Sequence, residues 1–323
     1  MAGSVREVGR PVVVSADDSS AALEAVRWAA AEAMLHDVAL RVIHPYVWPM
    51  VKLPPVFRGM GPEGGLRAHA QQVLAEAVKT ARSVAPDLDI QAEILPGLPV
   101  ALLRTESRHA LYVVVGASQQ TLMADVVAGS PTVELLGQSH APVAVVRDTL
   151  SPDRDAGLVV VGVDGSAVSG AAVKVALWEA AVRGARLLAV TVTSADRGRQ
   201  ARKLLGQQRD TIADFGVIRD ALTEWRRAYP DVAIEERVVA GHPAKVLIDL
   251  SHEAALLVVG SRGRGGFTGL LLGSVSQTLL YNAHCPVIVV PPRSVTGPWG
   301  AVTGPARETP TSESDPPLSD DHR

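Results

Sequence analysis

The chain carries the same strand-and-turn signature twice, and this repeat narrows the folds open to it. Residues 12–19 read VVVSADDS and residues 159–166 read VVVGVDGS. Each is a short apolar run that stops at an aspartate, Asp17 or Asp164. Each is followed by a stretch with apolar residues at helical spacing, such as Leu23, Val26, Ala29, Ala30 and Met34. Asp17, Asp18 or Ser19 can cap the first of these helices. Further strands are expected at 39–44, 90–95, 111–115 and 143–146. Their counterparts in the second half are 186–193, 233–239, 256–259 and 287–290. Helices are expected at 66–84 and 99–108, at 169–182, before Tyr229-Pro230, and after Gly241-His242-Pro243. The Pro- and Gly-rich stretch 45–65 reads as a loop. Trp28 and Trp178 each fall in the first helix of a repeat. Asp17 to Gly116 and Asp164 to Gly260 span nearly equal lengths. A repeat of this size in 323 residues means two related domains rather than a solenoid.

Strands apolar on both faces, alternating with helices, predict parallel sheets covered on both sides. Such sheets bind ligands beyond the carboxyl ends of their strands, where the strand order reverses. The loop after Val259 and the turn at Asp164 are both carboxyl-end loops, so they are expected to meet there. Residues 258–276 read VVGSRGRGGFTGLLLGSVS. This is a buried strand, a glycine-rich loop and a helix start. Glycines permit close approach and positive φ. The first amides of a helix lack intrahelical partners and, with the helix dipole, favour an anion. A P-loop is excluded because no lysine lies in the stretch, and Thr268 stands where a third dinucleotide-fingerprint glycine would be. A tight loop without a ligand is the competing reading.

The spacing Gly260-x2-Gly263-x9-Gly273-Ser274 resembles the G-x2-G-x9-G-[S/T] signature of ATP-binding universal stress proteins. The similarity extends over residues 10–147 and 157–293. In the second repeat it includes VVVGVDGS, GHPAKVLIDLS, the glycine loop itself and AHCPVIVV. The resemblance implies two Rossmann-like domains of the adenine-nucleotide alpha-hydrolase type, each with five parallel strands in the order 3-2-1-4-5. They would pair through their last strands about a pseudo-twofold axis. Domain 1 would span 1–147, a linker 148–156, domain 2 157–293 and a disordered tail 294–323.

The resemblance also implies an ATP site in the second repeat. Gly162, Val163 and Asp164 would lie near the adenine and ribose, and Val192 would meet adenine through its backbone. Gly260, Gly263 and Gly273 would allow close approach. Ser274, Val275 and Ser276 would offer N–H and hydroxyl donors to phosphates. Ser261, Gly265 and Gly266 complete the loop, and Arg262 and Arg264 would add positive charge or stay solvated. By capping logic, Asp164 is equally a helix cap. Mg²⁺ bridging the phosphates is compatible with such a site, with no carboxylate assigned to it.

The first repeat departs from the pattern. It keeps Asp17, Gly116, Gly129 and Ser130, the candidates for a weak first site. Gln119 replaces the second glycine, Ser15 stands in place of Gly162, and Pro131 removes a donor after Ser130. Nucleotide binding there is expected to be weak or absent.

Net charge is −3, which gives no basis for nucleic-acid binding. The single cysteine, Cys285, excludes an intramolecular disulfide and a cysteine-based zinc site, and reads as a small buried hydrophobe. MAGSVREVGR lacks an apolar core for a secretory signal, and no apolar run is long enough for a membrane span; a cytoplasmic protein is expected. No G-x-S-x-G or H-E-x-x-H motif is present, and His242 and His284 stand isolated in the sequence. The reading is therefore a stress-response, adenine-nucleotide-binding regulator. A nucleotide-independent interaction protein and a slow ATPase are the alternatives, and homodimerisation is left open. After residue 294 the chain is rich in Pro, Ser, Thr and acids, too polar to offset its ordering entropy.

Overall fold

Valine-rich runs form the middle of the sheet because both of their faces are covered. The computed structural model describes residues 9–46, 62–117, 131–147, 155–193, 216–223, 225–263 and 271–296. The first half runs β1 (Val12–Ser15), α1 (Ser20–Leu35), β2 (Leu40–Tyr46), α2 (Pro62–Val84), β3 (Ile90–Pro96), α3 (Pro99–Glu106), β4 (Tyr112–Ala117), α4 (Pro131–Gln138) and β5 (Val143–Arg147). The second runs β6 (Asp155–Gly162), α5 (Ala167–Arg183), β7 (Arg186–Thr193), a helical segment at 216–223, β8 (Ile234–Ala240), α6 (Pro243–Ser251), β9 (Ala254–Gly260), α7 (Ser274–Asn282), β10 (Val287–Val290) and α8 (Pro292–Thr296).

The strand order is β3-β2-β1-β4-β5-β10-β9-β6-β7-β8. Within each half every ladder is parallel, and each half has the 3-2-1-4-5 order. The halves meet at one antiparallel ladder, where Val145 faces Val287 and Val143 faces Val289. A single ten-stranded sheet results. Its interior strands are buried, whereas β3 and β8 carry only half-buried and exposed residues. These outer strands carry Glu93, Glu235, Glu236 and Arg237 on open edges, which discourages further strand addition.

The first helices of the two repeats start alike. Asp17 Oδ1 accepts from the Ser19 amide at 2.8 Å and Asp164 Oδ1 from the Ser166 amide at 3.0 Å. The serines are the N-caps, accepting from the Ala22 and Ser169 amides. Such a cap stabilises by about 1 kcal/mol. The aspartates therefore shape the turn, and the capping role considered for Asp164 belongs to Ser166. Counted from these caps, Glu32 and Glu179 share a position, while Trp28 and Trp178 do not.

Several boundaries differ from those expected. β2 runs through Pro45 to Tyr46, beyond the end of β1, where it pairs only with β3 and a missing N–H costs nothing on the open side. α2 begins at Pro62, a residue tolerated at a helix start. β6 begins at Asp155, within the expected linker. Residues 294–296 of the expected tail belong to α8, where Ser294 is buried and its hydroxyl donates to His140 O at 3.3 Å. Residues 297–323 lie outside the described residues. Among the described residues no helix is long and apolar enough to cross a membrane.

Candidate functional site

At the carboxyl end of β6, Gly162 lies opposite Val190, and β7 continues for three more residues to Thr193. The Val163 amide donates to Val190 O at 2.8 Å, and Thr191 Oγ1 donates to Val163 O at 2.9 Å. These bonds fix the turn that presents Asp164. Val192 is half-buried on the part of β7 that outruns β6. From the neighbouring strand β9, Gly260 to Gly263 come alongside. A Cβ on Gly263 would lie 2.5 Å from Asp164 Oδ2. The two carboxyl-end loops thus converge where the strand order reverses, as sheet logic requires.

The loop then returns to α7. The Gly273 amide donates to Ser261 O at 2.8 Å, and the Ser261 amide to Val290 O at 2.8 Å. Gly273 is the N-cap, with φ −77° and no side-chain cap. α1 and α5 have serine caps, and α3 and α6 have proline in their first turn. α7 has neither, so its first-turn amides, at Ser274, Val275 and Ser276, are left for another acceptor. The Ser261 side chain is fully buried and its hydroxyl has no hydrogen-bond partner; Arg262 Nε is likewise buried and unpartnered. Leaving a buried polar group unpaired costs about 1–3 kcal/mol, so both atoms call for a ligand or water.

The glycines serve different ends. None of Gly260, Gly263 and Gly273 takes a left-handed φ; that conformation belongs to Gly165, at +79°. Gly162 makes room for Leu247, whose Cδ1 would be 3.1 Å from an added Cβ. Gly260 makes room for Val168 at the start of α5, with contacts of 3.0 and 3.2 Å. Both are therefore packing glycines. Gly263 admits the Asp164 carboxylate, and Gly273 faces nothing nearer than 3.4 Å. Ser276 was expected to offer its hydroxyl to phosphate, but that hydroxyl is buried and donates to Gly260 O at 2.7 Å. Only its amide remains a candidate. Arg264, Gly265 and Gly266 lie outside the described residues.

In the first repeat Asp17 is exposed, and Gly116 packs directly on the backbone of Ala21 and Ala22. α4 starts at Pro131, which has no amide to give. Gly129, Ser130 and Gln119 lie outside the described residues.

A second polar cluster escaped the reading of the sequence. Glu32 and His36 on α1 meet Glu179 and Arg183 on α5. His36 Nε2 lies 3.1 Å from Glu179 Oε1 and 3.5 Å from Glu32 Oε2. Arg183 bridges Glu179 and Glu32, and the Tyr112 hydroxyl donates to Glu179. The His36 ring packs against Trp178, with centroids 4.4 Å apart. Burial alone would lower the His36 pKa, but hydrogen bonds and charge from Glu179 and Glu32 outweigh it and hold it at about 9. Burial would raise Glu179, yet Arg183, His36 and Tyr112 bring it down to about 2. Burial likewise opposes charge on Arg183, and the two glutamates override it. Burial and Glu179 together push Tyr112 well above its ordinary value.

Glu32, His36 and Glu179 bring three metal-type ligand atoms within 4.8 Å of one another. In this chain the Arg183 guanidinium already supplies the cation for both carboxylates. The signal was present in the sequence: two glutamates at the same repeat position, each followed four residues later by a base, on helices otherwise rich in alanine. His284 is not isolated either. It stacks on His252 with centroids 3.5 Å apart, and burial, with help from His252 and Arg147, lowers its pKa.

The comparisons agree with this architecture. A universal stress protein of Mycobacterium bovis is 35% identical over 288 residues, covering 86% of this chain and 96% of the relative. One from Mycobacterium tuberculosis is 35% identical over 291 residues, with 86% and 95% covered. A crystal structure of a universal stress protein from Archaeoglobus fulgidus shares the fold at a TM-score of 0.65 and 17% identity, covering 87% of this chain and 96% of that one. The model of the universal stress protein family matches twice, over 9–147 and 157–291. With each match falling on one 3-2-1-4-5 half of the sheet, the chain belongs to the universal stress protein family and carries two copies of its fold.

Proposed function

We propose that the protein binds ATP in its second repeat and acts as a stress-response regulator, with residues 1–147 and 157–293 as its two domains. The observation that carries this reading is the uncapped start of α7, set beside the unpartnered Ser261 hydroxyl and the Asp164–Gly263 contact. Oriented amides at a helix start suit a phosphate. The open backbone of Val192 beyond β6 suits a flat, hydrogen-bonding base. Val275 and Ser276 would give amides, Ser274 an amide and an exposed hydroxyl, and Arg262 charge. Mg²⁺ would accompany the phosphates in the usual way. Asp164 already spends one oxygen on the Ser166 amide, which favours a binding role for it over that of a base. Membership of the universal stress protein family is what supports the regulatory role.

Calorimetric titration of ATP, with and without Mg²⁺, into the intact chain tests the reading. One site per chain is expected, and Gly273→Glu should weaken binding at least about 100-fold, a carboxylate then occupying the anion's place. The backbone at Gly273 suits any residue, so the variant should fold. Absence of binding by folded, nucleotide-free protein would defeat the proposal and favour a ligand-independent interaction role.

A further inference from the structure

α7, the helix whose start forms the candidate anion site, is held at both ends by the other repeat. Leu271, on the segment entering α7, packs on Gly137 in the last turn of α4. A Cβ on Gly137 would lie 2.8 Å from Leu271 Cδ2 and 3.0 Å from its Cβ. Glycine is a poor choice for a helix, and this contact accounts for it. At the far end, Arg147 of β5 is buried, and its guanidinium donates to Ala283 O at 3.0 Å. Ala283 is the C-cap of α7. A cation there also complements the negative end of the helix dipole.

The support is returned in a slighter form: Ser294 of α8 donates to His140 O at 3.3 Å, two residues past α4. In the register that aligns Gly116 with Gly260, Arg147 corresponds to Pro291 and Gly137 to Tyr281. Proline has no side-chain donor to offer α4. Where α4 ends, Ser139 satisfies its hydroxyl on Ala141 O within its own repeat. The first repeat thus gives the helix of the second an arginine donor and receives none at the matching position.

We propose that the first repeat positions α7 for the second repeat's site, with Gly137 and Arg147 as the positioning residues. The link to ligand affinity rests on the reading of α7 as an anion site; the mechanical claim does not. Two readouts on the full-length chain separate them: hydrogen exchange of the α7 amides without nucleotide, and calorimetric ATP affinity. Gly137→Leu, a good helix former, should speed exchange at Gln277 and the bonded amides that follow it, and weaken ATP about three- to tenfold. Adding Leu271→Ala should restore both, a rescue that general destabilisation would not give. Arg147→Met should speed exchange in the last turn of α7. Unchanged exchange in these variants, or a defect that Leu271→Ala does not relieve, overturns the proposal. If Gly137→Leu does not fold, Leu271→Ala alone removes the same contact and must speed exchange. If the wild-type chain binds no ATP, the nucleotide reading falls, while exchange still decides the positioning.

Discussion

In the first repeat Gly116, next to last in β4, lies against the backbone of Ala21; in the second Gly260 ends β9 against Val168. These glycines do the same job in both repeats, letting the first helix lie close on the sheet. Beyond this glycine the two loops part ways. The second places Gly263 against Asp164 and leaves the start of α7 uncapped. The first has Gln119 at the matching position and opens α4 with Pro131. A motif glycine that survives in a loop without the rest of the motif is thus explained by packing. The glycines specific to a ligand are the ones that disappear together with the donors.

The polar cluster between α1 and α5 is a second place to compare the repeats. Glu179 has three partners, His36, Arg183 and Tyr112, and is completely buried. Glu32 has two, Arg183 at Oε1 and, at a longer 3.5 Å, His36 at Oε2. The symmetric positions are therefore unequal, and Glu179→Ala should cost more than Glu32→Ala. The loss for Glu179→Ala should be about 3–5 kcal/mol, the usual penalty for stranding a buried charge, read by urea denaturation. Equal losses would show that the cluster acts as a symmetric unit.

The cations differ too, since His36 titrates in an accessible range and Arg183 does not. The His36 pKa is raised to about 9. Its contribution should be complete below about 6.5 and disappear as the pH rises through about 9. Glu32, Glu179, Arg183 and Tyr112 are the charged or titratable groups around it, and with Arg183 still charged the loss should be smaller than that of Glu179→Ala. His36→Arg should flatten the alkaline limb of the stability profile; an unchanged limb would place the transition elsewhere. Glu179, with its pKa lowered to about 2, contributes stability above its ordinary pKa that is lost as the pH falls through about 2.

The fold was legible because it rests on a local pattern. Valine runs, each ending at Asp or Gly, mark buried parallel strands and their carboxyl ends wherever they occur. Convergence of Asp164 with Gly263 followed from sheet topology. The cluster around Glu179 was not read, because its members come from α1, β4 and α5 and only the assembled sheet brings them together. The roles of the glycines were hidden for the same reason. Spacing cannot tell a glycine that faces Leu247 from one that faces a carboxylate. Likewise, the Ser276 hydroxyl looked like a donor for a ligand because Gly260 O, its partner, is distant in sequence.

Gly116→Ala and Gly260→Ala separate packing from ligand binding. An added methyl at Gly116 would meet the backbone of Ala21, which cannot turn aside. At Gly260 the nearest atom is a Val168 methyl at 3.0 Å. Overpacking of this kind costs about 1–3 kcal/mol. Gly116→Ala should be the more destabilising of the two in ligand-free protein, although its loop lacks the rest of the motif. Scanning calorimetry without nucleotide gives the order. If Gly260→Ala cost more, the first glycine would have a local role in the second loop that packing does not supply.

The smallest effect concerns the first repeat's missing donor. Pro131 occupies the position of Val275, whose amide is one of the candidate phosphate donors. Pro131→Val restores an N–H at the start of α4 and removes a residue well suited to that position. A single hydrogen bond contributes about 0.5–1.5 kcal/mol, too little to create a site where Gln119 still stands in place of glycine. The variant should therefore titrate with the same stoichiometry and affinity for ATP as the parent, and melt within a degree or two of it. A second binding event would mean that proline alone silences the first repeat. The Asp17 turn, shared with Asp164, would then be sufficient scaffolding for nucleotide once the amide is restored.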